Sequence, residues 1–211
     1  MAEFNQADYW LKRHEALRGD PRSVGNANAD VAANLRGEAE LIATIGEACS
    51  LLPMGRVVDL GCGYGRVAQA FMDRGFEYLG VDISPVAIEQ ARVRAPNGRF
   101  VVSDLSGWAS DDQYEVVSIL YVLIHFVEER RWADFLTRAV SMAKPGGVLL
   151  LADEFPAQRV TPAQHVVTRP LSDYEALFSS LGVYFEDGFS EQLRARAPFS
   201  CARHFRLARK H

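Results

Sequence analysis

The stretch VVDLGCGYGRVAQAFMDRGFEYLGVD, from Val57 to Asp82, carries three alternating glycines between two apolar segments. The segments 56–60 and 77–82 are typical of short buried strands, and 65–75 is typical of a helix that a glycine ends. The alternating glycines are Gly61, Gly63 and Gly65. Because glycine permits a tight turn and lets a ligand approach the backbone closely, the stretch predicts a strand, a ligand-binding turn, a helix and a second strand.

Strand and helix patterns continue to alternate along the rest of the chain. The further predicted helices are 28–52, 84–94, 128–143 and one near 172–181. The further predicted strands are 99–104, 114–123, 148–153, 183–188 and 199–208. This alternation predicts an α/β fold in which a mostly parallel sheet is covered by helices on both faces.

Length and charge limit the classes of partner. The chain has 211 residues, of which 48% are hydrophobic, which suits a single domain over 1–211 with a sizeable core. The net charge of -4 gives no reason to expect a polyanion, so we expect no nucleic-acid partner. No apolar run approaches the roughly 18 residues of a membrane span, and the first residues lack a signal-peptide pattern. We therefore expect no membrane partner, and the oligomeric state stays open.

The cysteines indicate a reducing compartment. They are Cys49, Cys62 and Cys201, an odd number with no C-x-x-C pair. This spacing predicts neither a disulfide framework nor a zinc site. We therefore expect a cytoplasmic location.

The glycine turn and the strand after it favour a nucleoside ligand. A dinucleotide fingerprint, G-x-G-x-x-G, would need a glycine where the chain has Arg66, which argues against a pyrophosphate. Asp82 ends the second predicted strand, where a carboxylate can accept hydrogen bonds from ribose hydroxyls. A nucleoside with or without phosphates is thus favoured over a plain strand-turn-helix junction with no ligand.

Polar side chains also follow the next two predicted strands. Asp104 closes one of them, and Tyr121 and His125 lie at or just past the end of the other. Open α/β sheets bind ligands at the carboxyl ends of their parallel strands. The sequence therefore predicts one binding site along this edge of the sheet.

In order and spacing, four segments resemble the motifs of the class I S-adenosylmethionine-dependent methyltransferases. They are VVDLGCGYG, GVDIS, VVSDL and KPGGVLLLADE, and they cover residues 54–155, which would form the cofactor-binding core. The resemblance implies a Rossmann-like, doubly wound sheet of seven mostly parallel strands with an antiparallel last strand. It also implies an N-terminal helical lid and S-adenosyl-L-methionine as the cofactor.

The resemblance also implies a set of cofactor-binding residues. On the core they are Asp59, Gly61, Cys62, Gly63, Asp82, Ile83, Asp104 and Leu105. The glycines would lie under the methionine part, Asp82 would hold the ribose, and the last three would lie beside the adenine. Asp59 would bind the cofactor's amino group or, equally, organise the loop as a buried carboxylate. Only the backbone of Cys62 matches, so we expect its side chain to fill space.

The N-terminal segment 1–28 resembles the lids of small-molecule methyltransferases. Tyr9 and Trp10 would cap the cofactor, and Arg13, one helical turn on, would clamp its carboxylate. An amphipathic helix that only packs against the sheet edge is the alternative reading.

Acceptor recognition is assigned to residues that follow the fourth and fifth strands. The candidates are Tyr121, Glu154, His165 and Arg169. His125 is the candidate general base for a hydroxyl acceptor, with an ordinary pKa near 6.5 and a corresponding fall in activity at acid pH. Packing at a loop is the alternative for His125, a plain strand end for Glu154, and solvated loop positions for His165 and Arg169.

The leading hypothesis is a methyltransferase acting on an oxygen or nitrogen atom of a small molecule. A protein or RNA methyltransferase is one alternative, although the fourth strand reads SILY and lacks an N-P-P-Y signature. A cofactor-binding protein without catalysis is the other. We predict no metal, because the adjacent acids Asp153 and Glu154 alternate sides of a strand and cannot share one ion.

Overall fold

The computed structural model describes residues 5–211, so the first four residues of the proposed lid lie outside the described part. The helices are α1 (Gln6–Ala16), α2 (Val31–Ala48), α3 (Ala68–Met72), α4 (Pro85–Arg94), α5 (Glu129–Met142), α6 (Leu171–Ser180) and α7 (Phe189–Arg196). The strands are β1 (Arg56–Leu60), β2 (Glu77–Asp82), β3 (Arg99–Val102), β4 (Tyr114–Leu120), β5 (Ala143–Ala152), β6 (Val160–Ala163), β7 (Val166–Thr168), β8 (Val183–Phe185) and β9 (Phe205–Lys210).

Seven of the strands form one sheet in the order β3-β2-β1-β4-β5-β9-β8. The pairs from β3 to β5 are parallel, and β9 runs antiparallel to both of its neighbours. This is the predicted α/β, doubly wound, seven-stranded sheet with an antiparallel last strand, and the fold prediction is confirmed. The strand order reverses between β1 and β4, the place where open α/β sheets bind ligands.

Alternate side chains of the central strands enter two separate cores. Val57 and Val116 pack with residues of α2 and α3 on one face, whereas Val58 and Val117 pack with residues of α5 and α6 on the other. Successive side chains of a strand point to opposite faces, so strands buried on both faces must be apolar throughout. The apolar runs in the sequence have this cause.

Local signals position the helix after β2. The Ser84 side chain accepts a hydrogen bond from the backbone N–H of Ala87 at 3.2 Å, and Pro85 is the first helical residue. An N-cap serine and a proline at the first helical position both favour a helix start here. The chain therefore turns sharply after Asp82 and leaves its carboxylate at the sheet edge.

Some elements differ from their predicted bounds. The helix after the glycines shortens to α3, because the residues before it form consecutive turns. The predicted strand 199–208 becomes β9, preceded by a 3-10 turn at Ser200–His204. The β6–β7 hairpin and α7 were not predicted, since their sequences show little periodicity. Among the described helices none is both long and apolar enough to span a bilayer.

Candidate functional site

A cavity of about 410 Å³ opens at the carboxyl ends of β1, β2 and β4. Its sheet-side lining comprises Gly61, Gly63, Arg66, Asp82, Ile83, Asp104, Leu105, Ser106, Leu120, Tyr121 and Val122. The lining from α1, its N-cap residue and the loop after it comprises Asn5, Gln6, Ala7, Trp10, His14 and Val24. The segment after β4 and the start of α5 add His125, Phe126, Glu128 and Arg131. The volume lies in the range of small-molecule sites, roughly 300–1,000 Å³.

The glycine turn forms the floor of this cavity. The backbone N–H groups of Gly61 and Cys62 both donate to the carbonyl of Val81, at 2.8 and 3.1 Å, which ties the turn to β2. Gly61 and Gly63 have φ angles of 83° and 53°, a region that other residues rarely adopt. Any side chain at Gly63 would also meet Val24 Cγ1 at 2.7 Å. The floor is therefore bare backbone for geometric reasons.

Asp82 holds the turn in place and faces the cavity. Its Oδ2 accepts from the N–H of Gly63 and its Oδ1 from the N–H of Ser84, both at 2.9 Å. Burial raises the pKa of this carboxyl, while His14 and the backbone N–H groups of Ser84, Gly63 and Ile83 act in the opposite direction. Each carboxylate oxygen has a second lone pair, so Asp82 can still accept hydrogen bonds from a ligand.

Two of the predicted cofactor residues lie below the floor and not at the cavity. Asp59 is buried and accepts hydrogen bonds from the hydroxyls of Tyr78, at 2.7 Å, and Ser118, at 2.9 Å. Asp59 is thus a buried structural carboxylate that joins β1 to β2 and β4, whereas a loop-organising role was the expectation. Cys62 is buried with its Sγ near the Gly63 carbonyl, and burial raises the pKa of its thiol, as suits a space-filling side chain.

Helix α1 covers the cavity, but only one of its three predicted cofactor-binding residues lines it. Trp10 lines the cavity, whereas Tyr9 and Arg13 do not. The guanidinium of Arg13 donates to the carbonyls of Arg22 and Gly25 and to the hydroxyl of Tyr9. Arg13 thus holds the loop after α1 and is not directed at a ligand carboxylate. Sequence spacing could not reveal these backbone acceptors, because they come from a loop without a pattern.

His125 lines the cavity and has a defined tautomer. Its Nδ1 lies 3.0 Å from the backbone carbonyl of His165, which can only accept, so Nδ1 carries the proton. Its ring meets the Trp10 ring edge to face, with centroids 4.7 Å apart. Burial lowers the pKa of His125 to about 4, which corrects the expected value near 6.5. At neutral pH the imidazole is therefore neutral, with a lone pair on Nε2.

Tyr121 lines the cavity in an unusual backbone conformation. Its φ of 58° is the one positive value among the described non-glycine residues. Its hydroxyl lies 3.1 Å from His204 Nδ1, and its N–H donates to the carbonyl of Ala152 at 2.7 Å. Burial raises the pKa of the Tyr121 hydroxyl, so the phenol stays protonated at neutral pH.

The other three predicted acceptor residues do not line the cavity. Glu154 is exposed after β5. His165, in the β6–β7 turn, stacks on Tyr9 with ring centroids 4.5 Å apart and supports the lid from outside. Arg169 is fully buried, donates to the Phe126 carbonyl at 2.9 Å and lies over the Trp132 ring. It was expected at the acceptor pocket, but it packs beneath the segment that carries His125.

Comparison with known proteins agrees with this geometry. A family model described as a methyltransferase domain matches residues 57–147, from β1 into β5. This match identifies residues 57–147 as a methyltransferase domain. A trans-aconitate 2-methyltransferase of Variovorax paradoxus is 31% identical over 114 residues, which are 53% of this chain and 42% of that protein. A mitochondrial ubiquinone biosynthesis O-methyltransferase of Schizosaccharomyces pombe is 34% identical, over 46% of this chain and 37% of that protein.

The chain thus spans about two fifths of the length of these relatives. Among solved structures, the magnesium protoporphyrin IX methyltransferase of Synechocystis with bound S-adenosylmethionine has a TM-score of 0.72 at 17% identity, with both chains fully covered. CalS10, an amino pentose methyltransferase of Micromonospora echinaspora, has a TM-score of 0.61 at 18% identity, over 83% of this chain and 91% of that one. At these identities the two structures support the fold of the methyltransferase domain.

The cavity of the methyltransferase domain fits the family's cofactor, S-adenosylmethionine. A bare glycine floor accepts a group that lies against the backbone, and Asp82 offers acceptors for hydroxyl groups. In addition, both ring nitrogens of the buried His14 lack a hydrogen-bond partner among the described residues. Together these three features suit a nucleoside with a polar tail.

Several lining residues of the methyltransferase domain were missed by sequence reasoning. Among the polar ones are Arg66, Ser106 and His14. The position of Arg66, directly after the alternating glycines, was a usable signal, whereas His14 lies on α1 without any motif. Within residues 5–211, no three potential metal ligands gather in one place.

Proposed function

We propose that this chain transfers a methyl group from S-adenosylmethionine to an oxygen or nitrogen atom of a small molecule. The observation that carries the proposal is one cavity in which Asp82 and the glycine turn lie on the sheet side and neutral His125 lies beside the lid. The first two suit a nucleoside, and the third suits removal of a proton.

The chemistry divides between the cofactor and the chain. When bound, the cofactor supplies a methyl group on a positively charged sulfur, and the transfer is an in-line displacement. The chain has to align the acceptor, exclude water and remove a proton from a hydroxyl acceptor. Trp10 and Val24 cover the cavity from the lid side, and His125 Nε2 is the base that we assign. Tyr121, also at the cavity, is the acceptor-side residue that we assign, and its hydroxyl is held by His204.

A small acceptor is supported by the size of the cavity and by the cover that α1 and its loop form over it. We propose segment 1–28 as this lid and residues 54–155 as the cofactor-binding core of a single domain. The names of the relatives refer to trans-aconitate and to the biosynthesis of ubiquinone. Both compounds are small molecules, which supports the same class of acceptor. A cytoplasmic location remains a prediction that cell fractionation can check.

The proposal is tested in two stages. Calorimetry with S-adenosylhomocysteine measures cofactor binding by the purified chain. Turnover with methyl-labelled cofactor is then measured on a panel of small carboxylates, phenols and amino sugars, with peptides and RNA as the competing classes. Turnover on a small molecule supports the proposal. Turnover on peptide or RNA alone contradicts it, and binding without turnover on any member favours a non-catalytic protein.

A further inference from the structure

His14 is a buried polar side chain whose hydrogen-bonding groups are not satisfied within the described chain. Only 3% of its surface is exposed, and neither ring nitrogen has a hydrogen-bond partner among residues 5–211. Its Nδ1 lies 4.0 Å from Asp82 Oδ1, which is beyond hydrogen-bond distance. An unsatisfied buried group costs folding free energy, so its presence needs a reason outside packing.

The surroundings of His14 indicate what it meets. Both His14 and Asp82 line the cavity, and the Trp10 ring packs on the imidazole with centroids 5.6 Å apart. The charged groups that face the ring are Asp82 and Arg13, and burial outweighs the attraction of Asp82, so the pKa of His14 is lowered. A neutral imidazole offers one N–H donor and one acceptor.

Asp82 and His14 have unused hydrogen-bonding groups that the same ligand could satisfy. The Asp82 oxygens already accept from Gly63 and Ser84, and their remaining lone pairs can only accept from a donor. The imidazole needs one acceptor and one donor. Two neighbouring hydroxyl groups, each of which can donate and accept, satisfy both residues together. A ribose carries such a pair.

We propose that His14 is a binding residue for the ribose of the adenosyl ligand, and that the imidazole and the Asp82 carboxylate hold the two ribose hydroxyls between them. The inference rests on the proposed function, because the ligand is the cofactor of that reaction. It gives α1 a specific task, since the helix that covers the cavity then recognises the cofactor as well. Closure of the lid and binding of the ribose become one event.

The test compares ligands that differ by one hydroxyl. Calorimetry measures the affinity of wild type, His14→Phe and His14→Leu for S-adenosylhomocysteine and for its 2′-deoxy and 3′-deoxy analogues. Phe keeps an aromatic ring and Leu has about the volume of histidine without a ring, so that one of them suffices if the other does not fold. In wild type we expect each missing hydroxyl to weaken binding about tenfold, the scale of one hydrogen bond. In the variants, the penalty for the hydroxyl that His14 binds should shrink to about twofold or less.

Val24→Ala is the matched control, because it alters a lid residue of the same cavity that lies over Gly63, whereas Trp10 packs on the His14 ring. It should weaken all three ligands by equal factors and keep both hydroxyl penalties. The melting temperature of the ligand-free protein is the second readout. A histidine that only packs would destabilise the protein when replaced, whereas an unsatisfied binding residue should leave the melting temperature equal or raised in His14→Phe.

The outcomes separate the inference from the function on which it rests. If wild type does not bind S-adenosylhomocysteine, both the proposed function and this inference are wrong. If wild type binds it and the variants keep the full penalty for both hydroxyls, the inference alone is wrong. A reduced penalty for one hydroxyl in either variant, with unchanged penalties in Val24→Ala, supports it, and an equal reduction in Val24→Ala contradicts it.

Discussion

The protonation state of His125 follows from one neighbouring carbonyl group and from the burial of its ring. The His165 carbonyl fixes the proton of His125 on Nδ1, and burial holds the pKa near 4. A neutral base with a free Nε2 suits a hydroxyl acceptor, but its low pKa makes it a weak base. Its contribution therefore depends on positioning against the acceptor oxygen as well as on basicity.

Replacing His125 by Ala is expected to lower kcat on a hydroxyl acceptor by about 10²–10⁴-fold, the usual contribution of a general base. Affinity for S-adenosylhomocysteine should change little, since we assign the ring to the acceptor. His211→Gln is the control, because His211 is exposed and packs on Tyr184 at the far edge of the sheet. Full kcat in His125→Ala would make His125 a packing residue.

The pH profile tests the lowered pKa of His125. Because the imidazole stays neutral until the pH approaches about 4, kcat on a hydroxyl acceptor should be level between pH 5.5 and 8 as far as His125 is concerned. Steady-state rates over this range, compared between wild type and the alanine variant, provide the measurement. A fall in rate below about pH 6.5 that disappears in the variant would mean that His125 has its ordinary pKa, which would contradict the lowered value.

The Asp82 carboxylate should dominate binding of the cofactor. Asp82→Ala removes the acceptor for the ligand hydroxyls and also the contacts to the N–H groups of Gly63 and Ser84. We expect weaker binding of S-adenosylhomocysteine by about 1.5–3 kcal/mol, measured by calorimetry. Asp112→Ala, which removes an exposed acid paired with Arg56, is the control. Equal affinity in wild type and Asp82→Ala would exclude Asp82 from the ribose site.

At the scale of elements, the requirement for glycine at position 63 comes from the loop after α1 as well as from the dihedral angles of the turn. Val24, which follows α1, lies directly over Gly63, and the Arg13 guanidinium holds that loop by its carbonyls. Lid and floor thus meet at a point where only glycine fits. A change at this point should affect the closed lid and the bound ligand together.

Gly63→Val is expected to weaken binding of S-adenosylhomocysteine more than Asp82→Ala does. A β-branched residue is strained at a φ of 53°, and its Cβ would lie 2.7 Å from Val24 Cγ1. Gly37→Val is the matched control, because the space around Gly37 in α2 is open. Calorimetry on both variants gives the comparison. Normal binding by Gly63→Val would show that the cofactor does not lie over this turn.

At the scale of the whole molecule, buried ionisable groups make stability depend on pH in opposing ways. Burial raises the pKa of Asp153 to about 7. As the pH rises from about 4 to 7, the unfolded chain loses this proton while the folded chain keeps it, so Asp153 lowers the free energy of unfolding over this range. His125 has a folded-state pKa below its unfolded value, so its contribution to stability is lost as the pH falls from about 6.5 to 4. The two effects oppose each other over the same range.

Asp153→Asn is expected to remove the first of these effects. The amide can keep contacts to the Tyr174 hydroxyl and the Glu154 N–H, which lie 2.9 and 2.8 Å from the Asp153 oxygens. Relative to wild type the variant should gain stability between pH 4.5 and pH 8, on the order of 3 kcal/mol, because most of the shift of about three pKa units acts within this range. Urea unfolding at both pH values measures this gain, and Glu175→Gln, at an exposed acid of α6, should show none. A gain that does not depend on pH would mean that Asp153 has an ordinary pKa.

Local sequence was enough to specify the architecture and the sheet side of the site. Apolar runs of strand length, a serine followed by proline, and glycines at alternate positions act within a few residues, and the ends of parallel strands necessarily meet at one edge. Gly61, Gly63, Asp82 and Asp104 could therefore be predicted from the pattern, and Ile83 and Leu105 from the family resemblance. All six line the cavity.

The lid side of the site depends on contacts between residues far apart in the chain. Arg13 is bound by loop carbonyls, Arg169 is buried under the His125 segment, and His14 lies beside Asp82 only because α1 crosses the strand ends. The pKa of His125 likewise comes from packing, since desolvation is not encoded in the residues next to it. Periodicity and motif spacing describe neighbours along the chain, whereas burial and long-range hydrogen bonds arise only when separate elements pack together.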